Sequence, residues 1–276
     1  MSDTATQVGK PDKPQKPAGV KRPWRRRVIR AGKWLTHRLA AYQARQSLVP
    51  DAPFLPNELF PFLGDIEERW EEIAAEAREV VKLREHIPNI QDISPDQGNI
   101  AKASNWKTFF LYGFGTPLER NCVQAPVTTE ILSRVPGIQT AFYSILAPGY
   151  HIPDNTGITK AVLRVHLGLI IPKQRKKCRI RVGDQIKAWE QGKAFVLDDT
   201  YEHEVSNDTD EERVILLFDF DRPMRLGGRM VSRLFLQLMK LTAFYQEPKK
   251  NLLDAEGRFA AAAQRANENL EKLADL

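Results

Sequence analysis

Between residues 107 and 220 the chain is a succession of short apolar runs broken by turn residues. The runs are KTFFLYG (107–113), AFYSILA (141–147), AVLRVHLGLII (161–171), CRIRVG (178–183), KAFVLDD (193–199) and RVILLFDF (213–220). Pro148-Gly149, Gly183-Asp184 and Asn207-Asp208 punctuate them. β-Branched and aromatic side chains suit a pleated surface, while Gly, Pro, Asn and Asp supply the backbone angles of tight turns. Six such runs without helical crossovers predict an antiparallel β sandwich or barrel over about 105–223.

Helical patterns flank this β core. In 22–46, Trp24, Val28, Ala31, Leu35, Leu39 and Tyr42 recur three or four residues apart among basic residues, which predicts an amphipathic helix. Pro50, Pro53 and Pro56 then mark a linker, and Trp70, Ile73, Ala74, Val80 and Val81 stripe a second helix over Ile66 to Arg84. Pro88 to Gly98 reads as polar turns. Helices return at 228–246, where Met230, Leu234, Leu238 and Leu241 form a stripe widened by Val231, Phe235 and Phe244, and at 251–275. Residues 1–20 have almost nothing to bury and are expected to be disordered. The expected organisation is thus a disordered tail (1–20), a basic helix (21–48), a domain over 55–223 and C-terminal helices (224–276).

The net charge of +6 is unevenly placed: residues 1–48 hold twelve of the 41 basic and two of the 35 acidic residues, leaving 49–276 at −4. Residues 221–250 again carry a local excess of five positive charges. Basic amphipathic segments with tryptophan suit an anionic membrane surface, so 22–46 and 228–246 are candidate contacts; helices packed on the core are the alternative. A nucleic-acid role would rest on the N-terminal arm alone, because the body lacks a basic, aromatic-lined surface. Two cysteines, Cys122 and Cys178, make neither a disulfide framework nor a zinc motif, and no apolar run is long enough to span a bilayer. With no secretory signal read at the start, the expected location is the cytoplasm or the inner face of a membrane.

Phosphate-cradling glycine loops, a GxSxG elbow and HExxH are all missing. His203, in LDDTYEHEVSND, is the most informative histidine, and Arg213 follows it at the head of VILLFDF. A hairpin through 206–212 is expected to set them on adjacent strands. An imidazole for a metal beside a guanidinium for a carboxylate fits a ligand that chelates at one end and is anchored at the other.

Longer segments carry a family resemblance: PNIQDISPD (88–96), NWKTFFLYGFG (105–115), NCVQAP (121–126), FYSILAPGYHIPDNTG (142–157), VLRVHLGLIIP (162–172), IRVGDQIKAWEQGKAFVLDDTYEHEV (180–205) and RVILLFDFDRP (213–223). Together they resemble the aspartyl/asparaginyl β-hydroxylase family, which includes bacterial lipid hydroxylases. The resemblance implies a double-stranded β-helix (jelly-roll, cupin-like) core that binds Fe(II) and 2-oxoglutarate and uses O2 to turn C–H into C–OH. It implies His203 as the distal metal histidine and Arg213 as the 2-oxoglutarate anchor, with further contacts from Ser144, Arg164 and His166. Arg164 and His166 alternate along one strand and so share a face.

The family's first metal histidine lies eleven residues before the histidine of HLGL, and here that position is Asn155, within Pro153-Asp154-Asn155. An amide oxygen is a poorer Fe(II) ligand than imidazole. Three readings stay open: Asp154 or a shifted backbone supplies a carboxylate, which His151 joins where a turn brings the two together; Asn155 coordinates weakly; or the chain is a catalytically impaired binding protein on the same scaffold. Trp106 and Trp189 are expected to be packing residues, KQRKK (173–177) a solvated turn, and Asp198 and Asp199 anchors of the turn before His203. The implied substrate is an aspartyl or asparaginyl group of a small molecule or peptide, or the acyl chain of a membrane lipid.

Overall fold

The structure, a computed structural model, describes residues 23–101 and 104–274. The tail expected over 1–20 lies outside them. For residues 23–34 only the backbone helix is described, so the side chains of Trp24, Val28, Ala31 and Trp34 lie outside the described residues too. The helices α1 (Pro23–Gln46), α2 (Phe62–Glu68), α3 (Trp70–Lys82) and α4 (Ile90–Ile93) come first. Two more, α5 (Glu119–Cys122) and α6 (Pro126–Ser133), lie within the β region, and α7 (Leu226–Met239) and α8 (Ala243–Ala274) follow it.

The strands are β1 (Phe54–Leu55), β2 (Trp106–Gly113), β3 (Thr116–Pro117), β4 (Ile138–Leu146), β5 (His151–Asn155) and β6 (Val162–Ile170). Then come β7 (Cys178–Val182), β8 (Gln185–Ala188), β9 (Ala194–Leu197), β10 (His203–Asn207) and β11 (Arg213–Asp221). They form a seven-stranded sheet, β1-β9-β6-β11-β4-β2-β3, and a four-stranded sheet, β5-β10-β7-β8. Every named pairing is antiparallel, and the two sheets enclose a cavity in the manner of a double-stranded β-helix.

The period of two along each strand sorts the core into two clusters. On β11, Val214, Leu216, Phe218 and Phe220 join a core with Ile66, Ile73, Ala77 and Ile131 of the helices. The alternate residues Arg213, Ile215, Leu217 and Asp219 turn towards the four-stranded sheet and line the cavity. A strand covered on both faces must be apolar nearly throughout, which is why RVILLFDF shows little alternation.

Several sequence expectations are corrected. The 206–212 segment is not a hairpin: β10 pairs with β5 and β7, whereas β11 pairs with β4 and β6. The chain crosses from one sheet to the other there. Buried Asn207 ties the crossing, its Nδ2 donating to the carbonyls of Ala147 (3.0 Å) and Glu211 (2.9 Å). The proline-rich linker contributes β1, which pairs with β9 and buries Phe54 and Leu55. The helix expected over 66–84 breaks at Arg69, and α8 begins at Ala243 and runs through Pro248.

Gly168, on β6, shows how tightly the layers close. A Cβ there would sit 2.3 Å from the Glu190 carbonyl oxygen, and both the amide and the carbonyl of Gly168 are hydrogen-bonded to the 192–193 loop. Gly168→Ala is therefore expected to destabilise the fold by about 1–3 kcal/mol, read as a lower urea midpoint at unchanged m-value.

Candidate active site

The cavity between the sheets has a volume of about 380 Å³. Its polar residues come from both layers: Ser144 on β4, Arg164 and His166 on β6, and Arg213 and Asp219 on β11 from one side, His203 on β10 and Asn155 on β5 from the other. Asp199, between β9 and β10, joins them. The sheet register places Asn155 directly opposite His203.

Arg213 is 2% exposed and no described carboxylate lies within ion-pair distance. Its Nη2 donates to Ser144 Oγ (2.9 Å), its guanidinium stacks 4.6 Å from the Trp189 ring centre, and its Nε has no partner. Burial pushes its pKa down to about 10, so it is still a cation at neutral pH. Trp106 Nε1 also donates to Ser144 Oγ (3.0 Å), which leaves the serine hydroxyl proton free to donate elsewhere.

His203 is buried, and its Nδ1 lies 2.9 Å from the Tyr201 carbonyl. That contact makes Nδ1 the protonated nitrogen and leaves Nε2 with its lone pair. Burial lowers its pKa, which favours the neutral, ligating form. Both ring nitrogens of His166 lack partners among the described residues, and burial with the nearby Arg164 and Arg213 charges drives its pKa well down.

Arg164 lies across the β6–β11 ladder from Asp219, bonds it through Nε (2.7 Å) and Nη2 (2.9 Å), and has Asp199 at 3.2 Å. It lines the cavity as a neutralised cation, whereas Arg213 has no ion pair among the described residues. Burial raises the Asp199 carboxyl above its ordinary pKa against the pull of Arg164.

Asp154 is corrected as a candidate ligand. Its side chain is 55% exposed, pairs with Arg181 and is not among the cavity-lining residues. A register shift between His203 and Val205 gives β5 a bulge that turns Asp154 outward, and His151 is likewise outside, 3.0 Å from Glu204. Asn155 does line the cavity. Its Nδ2 donates to the carbonyls of Pro153 (3.0 Å) and His203 (3.2 Å), so its oxygen is the remaining polar atom. Among the described residues, no three His, Cys, Asp or Glu side chains form a ready metal cluster.

The sequence pattern of the aspartyl/asparaginyl β-hydroxylase family matches residues 67–223, more than half of the chain. The chain belongs to this family. Among its hydroxylase relatives, the ornithine lipid ester-linked acyl 2-hydroxylase of Rhizobium tropici is 40% identical over 212 residues, 77% of this chain and 75% of its own. Human aspartyl/asparaginyl β-hydroxylase is 38% identical over 134 residues, 47% of this chain and 17% of that longer protein. Among solved structures, a cupin domain of an XRE family transcriptional regulator from Enterobacter cloacae aligns with 42% of the chain and 96% of its own length, at TM-score 0.30 and 12% identity.

Within this hydroxylase fold, Trp106 and Trp189 are packing residues, as the sequence suggests, and in addition Trp106 holds Ser144 and Trp189 stacks on Arg213. Asp198 does anchor the turn before His203, bonding the Thr200 amide (3.0 Å), Lys160 (2.7 Å) and Arg222. Its neighbour Asp199 faces the cavity instead, and the adjacency of two acids on alternating faces was the available signal. Phe235, Leu236 and Met239 of α7 and Tyr245 and Leu252 of α8 close the cavity with apolar surface, which no local pattern could assign.

Proposed function

We propose that this hydroxylase depends on Fe(II) and 2-oxoglutarate and acts on an unactivated C–H bond, with a membrane-lipid acyl chain as the favoured substrate. The observation that carries the reading is Arg213: a buried cation with no acidic partner among the described residues needs an anionic ligand to balance it. A 2-oxoglutarate carboxylate would satisfy it, with Ser144 as a further donor. The unpartnered His166 nitrogens mark a polar space in the same cavity.

The donor set for iron is one imidazole nitrogen, His203 Nε2, and one amide oxygen, Asn155 Oδ1, from cross-strand neighbours. Nitrogen and oxygen donors suit Fe(II), although with one imidazole the hold is weaker than two histidines would give. Bound iron with 2-oxoglutarate supplies the oxidation, coupling O2 and the loss of CO2 from 2-oxoglutarate to C–OH formation, with succinate released. The protein's own part is binding and shielding: Tyr201 orients His203, Trp189 and Phe195 wall off His166, and α7 and α8 bring apolar side chains to the opening. Those apolar walls favour an acyl chain over an aspartyl or asparaginyl side chain, which remains the other substrate.

Asn155 favours a second reading, a binding protein that keeps the 2-oxoglutarate pocket without turnover. Anaerobic titration with Fe(II) and 2-oxoglutarate separates the two through the visible absorption of the chelate. His203→Ala is expected to abolish the band and to weaken metal affinity by roughly 100-fold or more. A parent protein without any band points to the binding-protein reading.

A further inference from the structure

Helix α7 lines the cavity with one side and faces solvent with the other. One side packs inward: Ser232 accepts a hydrogen bond from Gln43 of α1 (3.2 Å), a Cβ on Gly228 would meet Gln46 Cβ at 2.5 Å, and Phe235, Leu236 and Met239 line the cavity. The other side carries Leu226, Met230, Leu234 and Leu238, with Leu241 just past its end, all 54% to 79% exposed. Spacings of four, four, four and three hold these five within an arc of about 120° at 100° per residue. Scattered exposed leucines need no explanation, but a contiguous stripe opposite a packed face marks an interaction surface. Arg229 and Arg233 flank the stripe and Arg225 precedes it; all three are exposed, and Lys249 and Lys250 are exposed at the start of α8. The acidic residues nearby are Asp221, which feels the Arg233 charge, and Glu247.

We propose that α7 is a membrane-docking helix, lying with the Leu226–Leu241 stripe in the interface of an anionic bilayer and Arg229 and Arg233 on its headgroups. Apolar side chains beside arginines match acyl chains beside anionic headgroups. A second copy of the chain is a poorer occupant, because symmetric pairing through this face sets one basic flank against another. Docking puts the cavity about one helix diameter, roughly 10 Å, from the bilayer surface, within reach of an acyl chain drawn out beside α7. The inference deepens the hydroxylase reading and rests on it for its purpose.

The test is co-sedimentation of the full chain, without added metal, with vesicles of phosphatidylcholine alone or mixed with phosphatidylglycerol. The intact protein is expected to pellet with the anionic vesicles at low salt and to release at high salt. Leu234→Asp combined with Leu238→Asp, and separately Arg229→Glu combined with Arg233→Glu, are each expected to weaken partitioning about tenfold or more. These positions are exposed and off the cavity; should the aspartates unsettle α7 by circular dichroism, the glutamate pair carries the test. Protein that stays in the supernatant overturns the proposal, as do variants that pellet like the parent, which would assign binding to the basic N-terminal arm. A dimer in sedimentation velocity that the aspartate pair splits overturns it in favour of a second copy. The chelate titration on the same preparation keeps the readings apart: a band without vesicle binding removes the docking role alone, and vesicle binding without a band removes the cofactor reading alone.

Discussion

Arg213→Met is expected to weaken 2-oxoglutarate binding roughly 100-fold or more while leaving the ligand-free fold at least as stable as the parent. The opposite signs follow from one fact. A buried charge facing a ligand carboxylate contributes several kcal/mol to the complex, about what is lost when one partner of a buried charged pair is truncated. In the free protein the same guanidinium has, among the described residues, Ser144 and the Trp189 face for company. Its desolvation is a standing cost, so a methionine of similar length should raise stability by about 1–3 kcal/mol. The linkage sign agrees. A cation whose folded pKa is lowered to about 10, below its ordinary range, holds fewer protons folded than unfolded above that value, so stability rises with pH there. Below about 10 both states are protonated and the penalty is fully present, neutral pH included. Titration of the apoprotein with 2-oxoglutarate and a urea midpoint check the two halves. Unchanged affinity would remove Arg213 as the anchor.

Asn155→His is expected to tighten Fe(II) binding by roughly 10- to 100-fold, the scale on which changes around a metal site usually register. Asn155 faces His203 across the β5–β10 ladder, so an imidazole there would supply a second nitrogen donor. The exchange removes the amide's two hydrogen bonds to Pro153 and His203, so the apoprotein should lose about 1–2 kcal/mol. Asp154→Ala serves as the control and should leave metal affinity unchanged, because Asp154 pairs with Arg181 outside the cavity. Anaerobic Fe(II) titration followed in the visible decides it. If Asp154→Ala weakened binding as much as His203→Ala, β5 would have to turn its carboxylate inward, against the bulge described here.

What the sequence determined by itself is what short-range physics writes locally. Alternation and turn chemistry marked β2, β4, β6, β7, β9 and β11, because each carries the β-branched and aromatic residues of a buried strand. The same patterns missed β5 and β10, since HIPDN and HEVSN are short and polar and become strands only through pairing, the edge strand β5 with β10 and β10 with β5 and β7. Family segments pointed to His203, Arg213, Ser144 and His166, and these line one cavity. Only the tertiary structure decided how they meet. The 208–212 crossing sends β10 and β11 to different sheets, so the metal-binding and anion-binding candidates oppose each other rather than sit side by side. A one-residue register shift turned Asp154 out and left Asn155 in, and Asp219 claimed the arginine of β6. Amphipathicity announced α7, but packing against α1 and the cavity chose which of its apolar residues were covered and which faced water. Periodicity records that a side chain has a preferred face; the partner that face meets is a property of chain segments far apart in sequence, set when the layers close.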